Sequence, residues 1–151
     1  MTVADPLADG PQGAVADPPA FPASLADAAK RQDLFGPAIS LFIKIADHWA
    51  LAVKDRQTLL GGISRQTYNN WKHGRVTKLS QDRLERLSLI FGVHKGLQTV
   101  FAEDAAGVRW LKAANRDVPF AGQSPLERML HGTMDDLYVV RRYLDAWRGV
   151  R

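Results

Sequence analysis

Between residues 39 and 50 the apolar positions Ile39, Phe42, Ile43, Ala46, Trp49 and Ala50 recur at intervals of three and four, the period of a helix with one buried face. The period returns in short segments, each bounded by a glycine or a hydroxyl residue. Residues 54–60 read as a short helix ended by Gly61-Gly62, and Ser64 is placed to cap the next, which runs to His73 and stops at Gly74. Ser80 opens a helix with Leu84, Leu87, Leu89 and Ile90 inside and Gly92 behind it, and residues 95–101 and 108–113 form further helices. Ser124-Pro125-Leu126-Glu127 supplies a hydroxyl cap, a proline at the first helical position and a glutamate three residues after the cap; Gly132 ends that helix. Thr133 with Asp136 repeats the capping pattern for a last helix, to about residue 148. No segment alternates with period two over a useful length. The pattern predicts an all-α fold.

The N-terminal stretch has no such period. Pro6, Pro11, Pro18, Pro19 and Pro22 are interleaved with Ala, Asp and Gly, too few large side chains to offset chain entropy. Residues 1 to about 24 are expected to be flexible, with a short helix from Ser24 stopping before Gly36-Pro37. The expected organisation is a tail over 1–33, a first helical domain over 34–103 and a second over 104–151.

Composition narrows the chemistry. The chain has 151 residues and no cysteine, which excludes a disulfide scaffold, a cysteine nucleophile and a thiolate zinc site. His48, His73, His94 and His131 lie too far apart for a metal-binding helical pair, so no metal or cofactor is expected. The longest apolar run is broken by Lys44, and the N-terminus lacks the features of a signal peptide, so a cytoplasmic protein is expected. The charge is uneven. Asp5, Asp9, Asp17 and Asp27 are the only charged residues up to position 29, leaving all 20 bases and 12 of the 16 acids in the remainder. A folded part that basic points to a polyanionic partner, most often nucleic acid.

Residues 54–75 have the dimensions of a helix-turn-helix. Leu59 and Leu60 pack its first helix, Gly62 takes the left-handed turn, and Ile63 plugs the corner. Tyr68 and Trp71, three apart, face inward, which leaves Arg65, Gln66, Asn69, Asn70 and Lys72 outside. Arginine pairs with guanine and the amides with adenine, while Lys72 and Arg75 suit phosphate. Ser64 and Thr67 bring hydroxyls and free N–H groups of a helix start to a phosphate.

On the last helix, at about 100° per residue, Leu137, Val140, Leu144 and Trp147 form one apolar stripe and Val139, Tyr143, Ala146 and Val150 a second. A two-helix unit cannot bury both on itself. Leu137, Val140 and Leu144 of the first stripe are expected inward, meeting Leu126 and Leu130, and the second stripe toward a partner, with Trp147 beside it as an anchor. Arg148 and Arg151 add positive charge at the end, suited to an anion site on the partner. Catalysis is not expected: Ser124, His131 and Asp135 make a triad only on paper, because Ser124 is a helix cap and His131 a helix end.

The stretches IADHWAL, LLGGISRQTYNNWKHG and LSQDRLERLSLIFGVHKGLQTVF, followed by PFAGQSPLERMLHG and VVRRYLDAWRG, resemble the Xre/MbcA/ParS antitoxins from about Ile39 to Gly149. The resemblance implies an Xre-like helix-turn-helix bundle followed by a small C-terminal toxin-binding region. It implies the antitoxin of a type II toxin–antitoxin pair, not an enzyme, whose partner is a RES-domain toxin that destroys NAD. Such a protein covers the toxin's active-site entrance and, usually with the toxin, represses its own operon; because one helix-turn-helix covers only a half-site, a homodimer on operator DNA is expected. By the same resemblance, Ser64 to Lys72 form the recognition helix, and residues 122–151 contact the toxin. The competing reading is a stand-alone helix-turn-helix regulator whose C-terminal helices only dimerise.

Overall fold

The computed structural model describes residues 28–149. Helices α1 (Ala28–His48), α2 (Val53–Leu59), α3 (Arg65–Lys72), α4 (Gln81–Val100), α5 (Asp104–Lys112), α6 (Pro125–Met129) and α7 (Met134–Gly149) follow in order, with no strand among the described residues. None of these helices is long and apolar enough to cross a membrane. Residues 1–27 of the expected tail lie outside the described residues, and residues 28–33 belong to α1.

Two expected breaks do not occur. The first is at Gly36-Pro37, which α1 passes through with Pro37 inside the helix. Proline has no N–H to give to the carbonyl four residues back, here that of Asp33. Asp33 and Pro37 both lie on the exposed side, while Phe35, Ala38, Ile39 and Phe42 are buried on either side of the proline and hold the helix together. The second is at Gly92, where α4 continues through Gly92 and Gly96 to Val100 and absorbs the separate helix expected over 95–101. A glycine inside a helix costs about 1 kcal/mol relative to alanine. Here it makes room for α7. A Cβ at Gly92 would stand 2.4 Å from the Arg141 guanidinium, and one at Gly96 would stand 3.0 Å from the Leu144 Cβ. Leu137, Val140 and Leu144 are 1%, 0% and 0% exposed, so the inward stripe of α7 is the expected one. Leu126 and Leu130 pack half-buried against the same core.

One continuous core results. Phe42, Trp49, Leu59 and Leu60 meet Leu87 and Ile90 of α4, and the cluster runs on through Leu97 and Leu111 to Phe120, Met129 and Leu144. The caps are those the residues predict. Ser64 accepts from the Thr67 N–H, Ser80 from the Arg83 N–H, and Ser124 with Glu127 forms a reciprocal capping box.

The start of α7 carries a buried carboxylate. Asp136 accepts from the Thr133 N–H at 3.1 Å and hydroxyl at 2.6 Å, and from Arg128 Nε at 2.8 Å. Arg128 also donates to the Pro119 carbonyl at 2.7 Å, tying α6 to the preceding loop. Burial works against the charge on Asp136, but the hydrogen bonds from Thr133 and Arg128 outweigh it and hold the carboxyl below its ordinary range. A depressed folded-state value adds stability above the unfolded-state value, and this is lost as the pH falls through the folded one. Melting temperatures recorded down an acid series should therefore fall once the pH is below about 4. Asp136→Asn should flatten part of that acid limb; an unchanged limb would show that other carboxylates set it.

Candidate functional site

The first face is built by α2, α3 and the turn between them. Gly61 and Gly62 turn the chain at φ +94° and +83°, and Leu59, Leu60, Ile63, Tyr68 and Trp71 are buried beneath. Arg56 locks the unit. Its Nε donates to the Leu51 carbonyl at 2.9 Å, and its Nη1 reaches the Tyr68 hydroxyl at 3.0 Å and the Asp47 carboxylate at 2.8 Å. Gln57 donates to the Ile63 carbonyl at 2.9 Å across the turn. The second helix is thus fixed against the first by side chains from both.

On that scaffold Ser64, Arg65, Gln66, Asn69 and Lys72 are exposed along α3, and Arg75 is exposed just beyond it. Thr67 and Asn70 are half-buried and already engaged. Ser64 Oγ donates to Thr67 Oγ1 at 3.0 Å, while Asn70 Oδ1 accepts from Gln66 at 3.2 Å and from Arg75 at 3.1 Å. The candidate DNA-binding residues therefore lie on one face, with Arg75 tied to Asn70. A shallow depression of about 620 Å³ borders the start of α3 and is lined by Ser64, Thr67 and Arg75 together with Lys78 and Arg83. Lys78 and Arg83 escaped the sequence reading because they lie past the helix-turn-helix, and only the fold returns them to its edge. Arg83 donates to the Leu60 carbonyl at 3.2 Å, which fixes its side chain beside the turn. The chemistry available is hydrogen bonding and positive charge along an open helix face, suited to a phosphate backbone and base edges.

The second face belongs to α7. Its second stripe is partly covered from within the chain. The Tyr143 ring stacks on Trp110 at 5.8 Å, meets Phe120 edge-on at 5.1 Å and lies 5.9 Å from Trp147; Phe101 lies 6.0 Å from Trp147. The Tyr143 hydroxyl donates to the Asp117 carboxylate. Burial, then the hydrogen bond to Asp117 and that residue's charge, push the hydroxyl up to about 12, so it stays a proton donor through the neutral range. Tyr143 is thus a packing residue as well as a surface one. Val139 is half-buried, Ala146 is exposed, and Trp147 keeps 36% of its surface in water despite three aromatic neighbours. Arg148 donates to Asp145 at 3.2 Å within the helix. Val150 and Arg151, the last two residues expected at this face, lie outside the described residues. Ser124, His131 and Asp135 form no triad: Ser124 is engaged in its capping box, and the His131 ring lies 3.8 Å from Asp136.

Comparison with known proteins divides the chain between these two faces. Residues 22–92 match the antitoxin Xre-like helix-turn-helix domain, and residues 96–149 match the antitoxin Xre/MbcA/ParS C-terminal toxin-binding domain. The chain is 40% identical over 111 residues to the uncharacterized protein y4oB of Sinorhizobium fredii, an alignment covering 74% of this chain and 84% of that protein. No solved structure matches it significantly.

Proposed function

Because the chain belongs to the Xre/MbcA/ParS family of antitoxins, we propose that it is the antitoxin of a type II pair whose toxin has a RES domain and degrades NAD. The C-terminal region covers the entrance to the toxin's active site, and the protein contributes binding, not catalysis. The observation that carries this reading is where the toxin-binding match falls. It contains α7, whose Leu137, Val140 and Leu144 are committed to the core while Ala146 and Trp147 stay at the surface. An amphipathic helix in that state retains an apolar edge for a second protein. Val139, Tyr143, Ala146, Trp147, Arg148, Val150 and Arg151 remain the proposed contact residues, with Tyr143 acting partly through the rings it supports.

The helix-turn-helix serves regulation in the same proposal. Arg65, Gln66, Asn69 and Asn70 read bases of the operator in the cytoplasm, and Ser64, Thr67, Lys72 and Arg75 hold phosphates. One unit covers a half-site, so a homodimer occupies an inverted repeat with half-sites about one helical turn, or a multiple of it, apart. Lys78 and Arg83 extend the phosphate contacts along the edge of the depression.

Co-expression tests the first half. The reading predicts a RES-domain protein encoded beside this gene; cells making that protein should keep their NAD only when this chain is made with it, and equal loss with and without the chain would refute neutralisation. Footprinting of the gene's own promoter tests the second. Arg65→Ala should cost about 1–3 kcal/mol at one base position, whereas Lys72→Ala should weaken all sequences alike and lower the salt slope by about one. A protected promoter without neutralisation would favour a stand-alone regulator.

A further inference from the structure

We infer that the loop joining α5 to α6 is a second contact for the partner protein, with Val118 at its tip as the inserted side chain. The inference rests on the reading of the C-terminal region as toxin-binding and extends it to a loop whose tip lies ahead of the expected contact over residues 122–151.

Val118 is 91% exposed, and Phe120, two residues on, is 1% exposed. A single apolar side chain in water ordinarily needs no explanation. This loop, however, is held at every side of the tip. The Asn115 N–H donates to the Gln123 carbonyl at 3.0 Å, and the Gly122 N–H donates back to the Asn115 carbonyl at 2.7 Å, closing the base. Asn115 Oδ1 accepts from the Asp117 N–H at 2.9 Å. The Asp117 carboxylate accepts a hydrogen bond from the Tyr143 hydroxyl, and the Pro119 carbonyl accepts one from Arg128. Phe120 is wedged between Trp110 at 6.0 Å and Tyr143 at 5.1 Å. Ala121 is held at φ +50°, a conformation unfavourable for a residue with a Cβ. Both neighbours of Val118 are thus pinned through side chains or carbonyls, while the valine itself points away from the core. Strain retained in a tightly anchored loop is characteristic of a segment whose shape is used.

The occupant is the toxin. Asp117 is bonded to Tyr143, whose ring meets Trp147, so the tip and the exposed edge of α7 are parts of one surface. The whole loop lies within the matched toxin-binding stretch, residues 96–149. Arg116 and Asp117, both exposed, precede the valine, so the complementary site on the toxin is a small apolar socket with a polar rim.

The test titrates the full chain against its cognate RES-domain toxin, the partner the proposed function requires, comparing wild type with Val118→Asp, Val118→Ala and Trp147→Ala. Val118→Asp should weaken association by about thirtyfold or more, and Val118→Ala by about threefold to tenfold. Helical circular dichroism and melting temperature should not change, because the side chain touches no core. Wild-type affinity in Val118→Asp alongside a loss in Trp147→Ala would overturn the loop contact and leave the antitoxin reading standing. No binding by the wild-type chain would overturn that reading, and the loop contact with it. Weaker self-association of Val118→Asp with toxin affinity intact would assign the tip to a second copy of this chain and also overturn the proposal.

Discussion

A chain carrying Leu144→Asp is expected to lose its C-terminal half as a folded unit. Leu144 is fully buried, and its Cβ lies against Gly96, where the two helix backbones come together. Shortening a buried leucine costs about 2–5 kcal/mol. Placing a carboxylate in the same space adds a desolvation cost of several kcal/mol. Against a total stability of about 5–15 kcal/mol for an ordinary domain, the sum exceeds what α7 can lose. Leu144→Ala should lower the melting temperature but leave a cooperative transition. The aspartate should abolish that transition and let the α7 amides exchange at rates close to those of an unfolded chain. A Leu144→Asp protein that melts cooperatively near the wild-type temperature would show that α7 is dispensable to the core.

Trp147→Ala is expected to produce the largest loss of partner binding without a comparable loss of fold. Trp147 is the large aromatic of α7 with substantial exposed surface, and truncation of such an anchor at an interface removes about 2–4 kcal/mol, or about thirtyfold to a thousandfold in affinity. Phe101, Trp110 and Tyr143 remain in contact with one another or with Phe120 after the indole is gone, so the cluster shrinks but does not open. Ala146→Glu is the companion variant: Ala146 is exposed, and a carboxylate there disturbs only a bound surface. Tyr143→Asp, which the two-stripe pattern makes the obvious choice, is a poorer one. It would remove the ring stacked on Trp110 and set a second carboxylate beside Asp117. Calorimetric titration with the toxin should show both Trp147→Ala and Ala146→Glu weakened. Full affinity in both would place the contact elsewhere on the domain.

The parts legible in the sequence are those decided within a few residues. Ser64, Ser80, Ser124 and Thr133 cap helices because a hydroxyl three residues from an N–H reaches it whatever lies beyond. Leu137, Val140 and Leu144 are inward because helical spacing puts them on one side. The misread places are those where distant packing outweighs local preference. Pro37 and Gly92 each signal a stop, yet both sit inside helices whose apolar neighbours are held by other elements. In the candidate site, the exposed residues of α3 follow from Tyr68 and Trp71 being buried. Arg56, Lys78, Asp117 and the grouping of Phe101, Trp110 and Phe120 around Tyr143 and Trp147 do not follow from any spacing, since each depends on segments brought together only by the fold.

The glycine groove of α4 bears on how such proteins exchange parts. Gly92, which receives Arg141, falls in the stretch matched to the helix-turn-helix domain, whereas Gly96 and the helix that fills the groove fall in the stretch matched to the toxin-binding domain. A recombinant spliced between residues 92 and 96 would join a groove from one parent to an α7 from another. Any side chain at position 92 in the first parent would then meet the arginine of the second. A graft that carries partner choice intact begins no later than Ser80, the cap of α4, so that both glycines travel with the helix they admit.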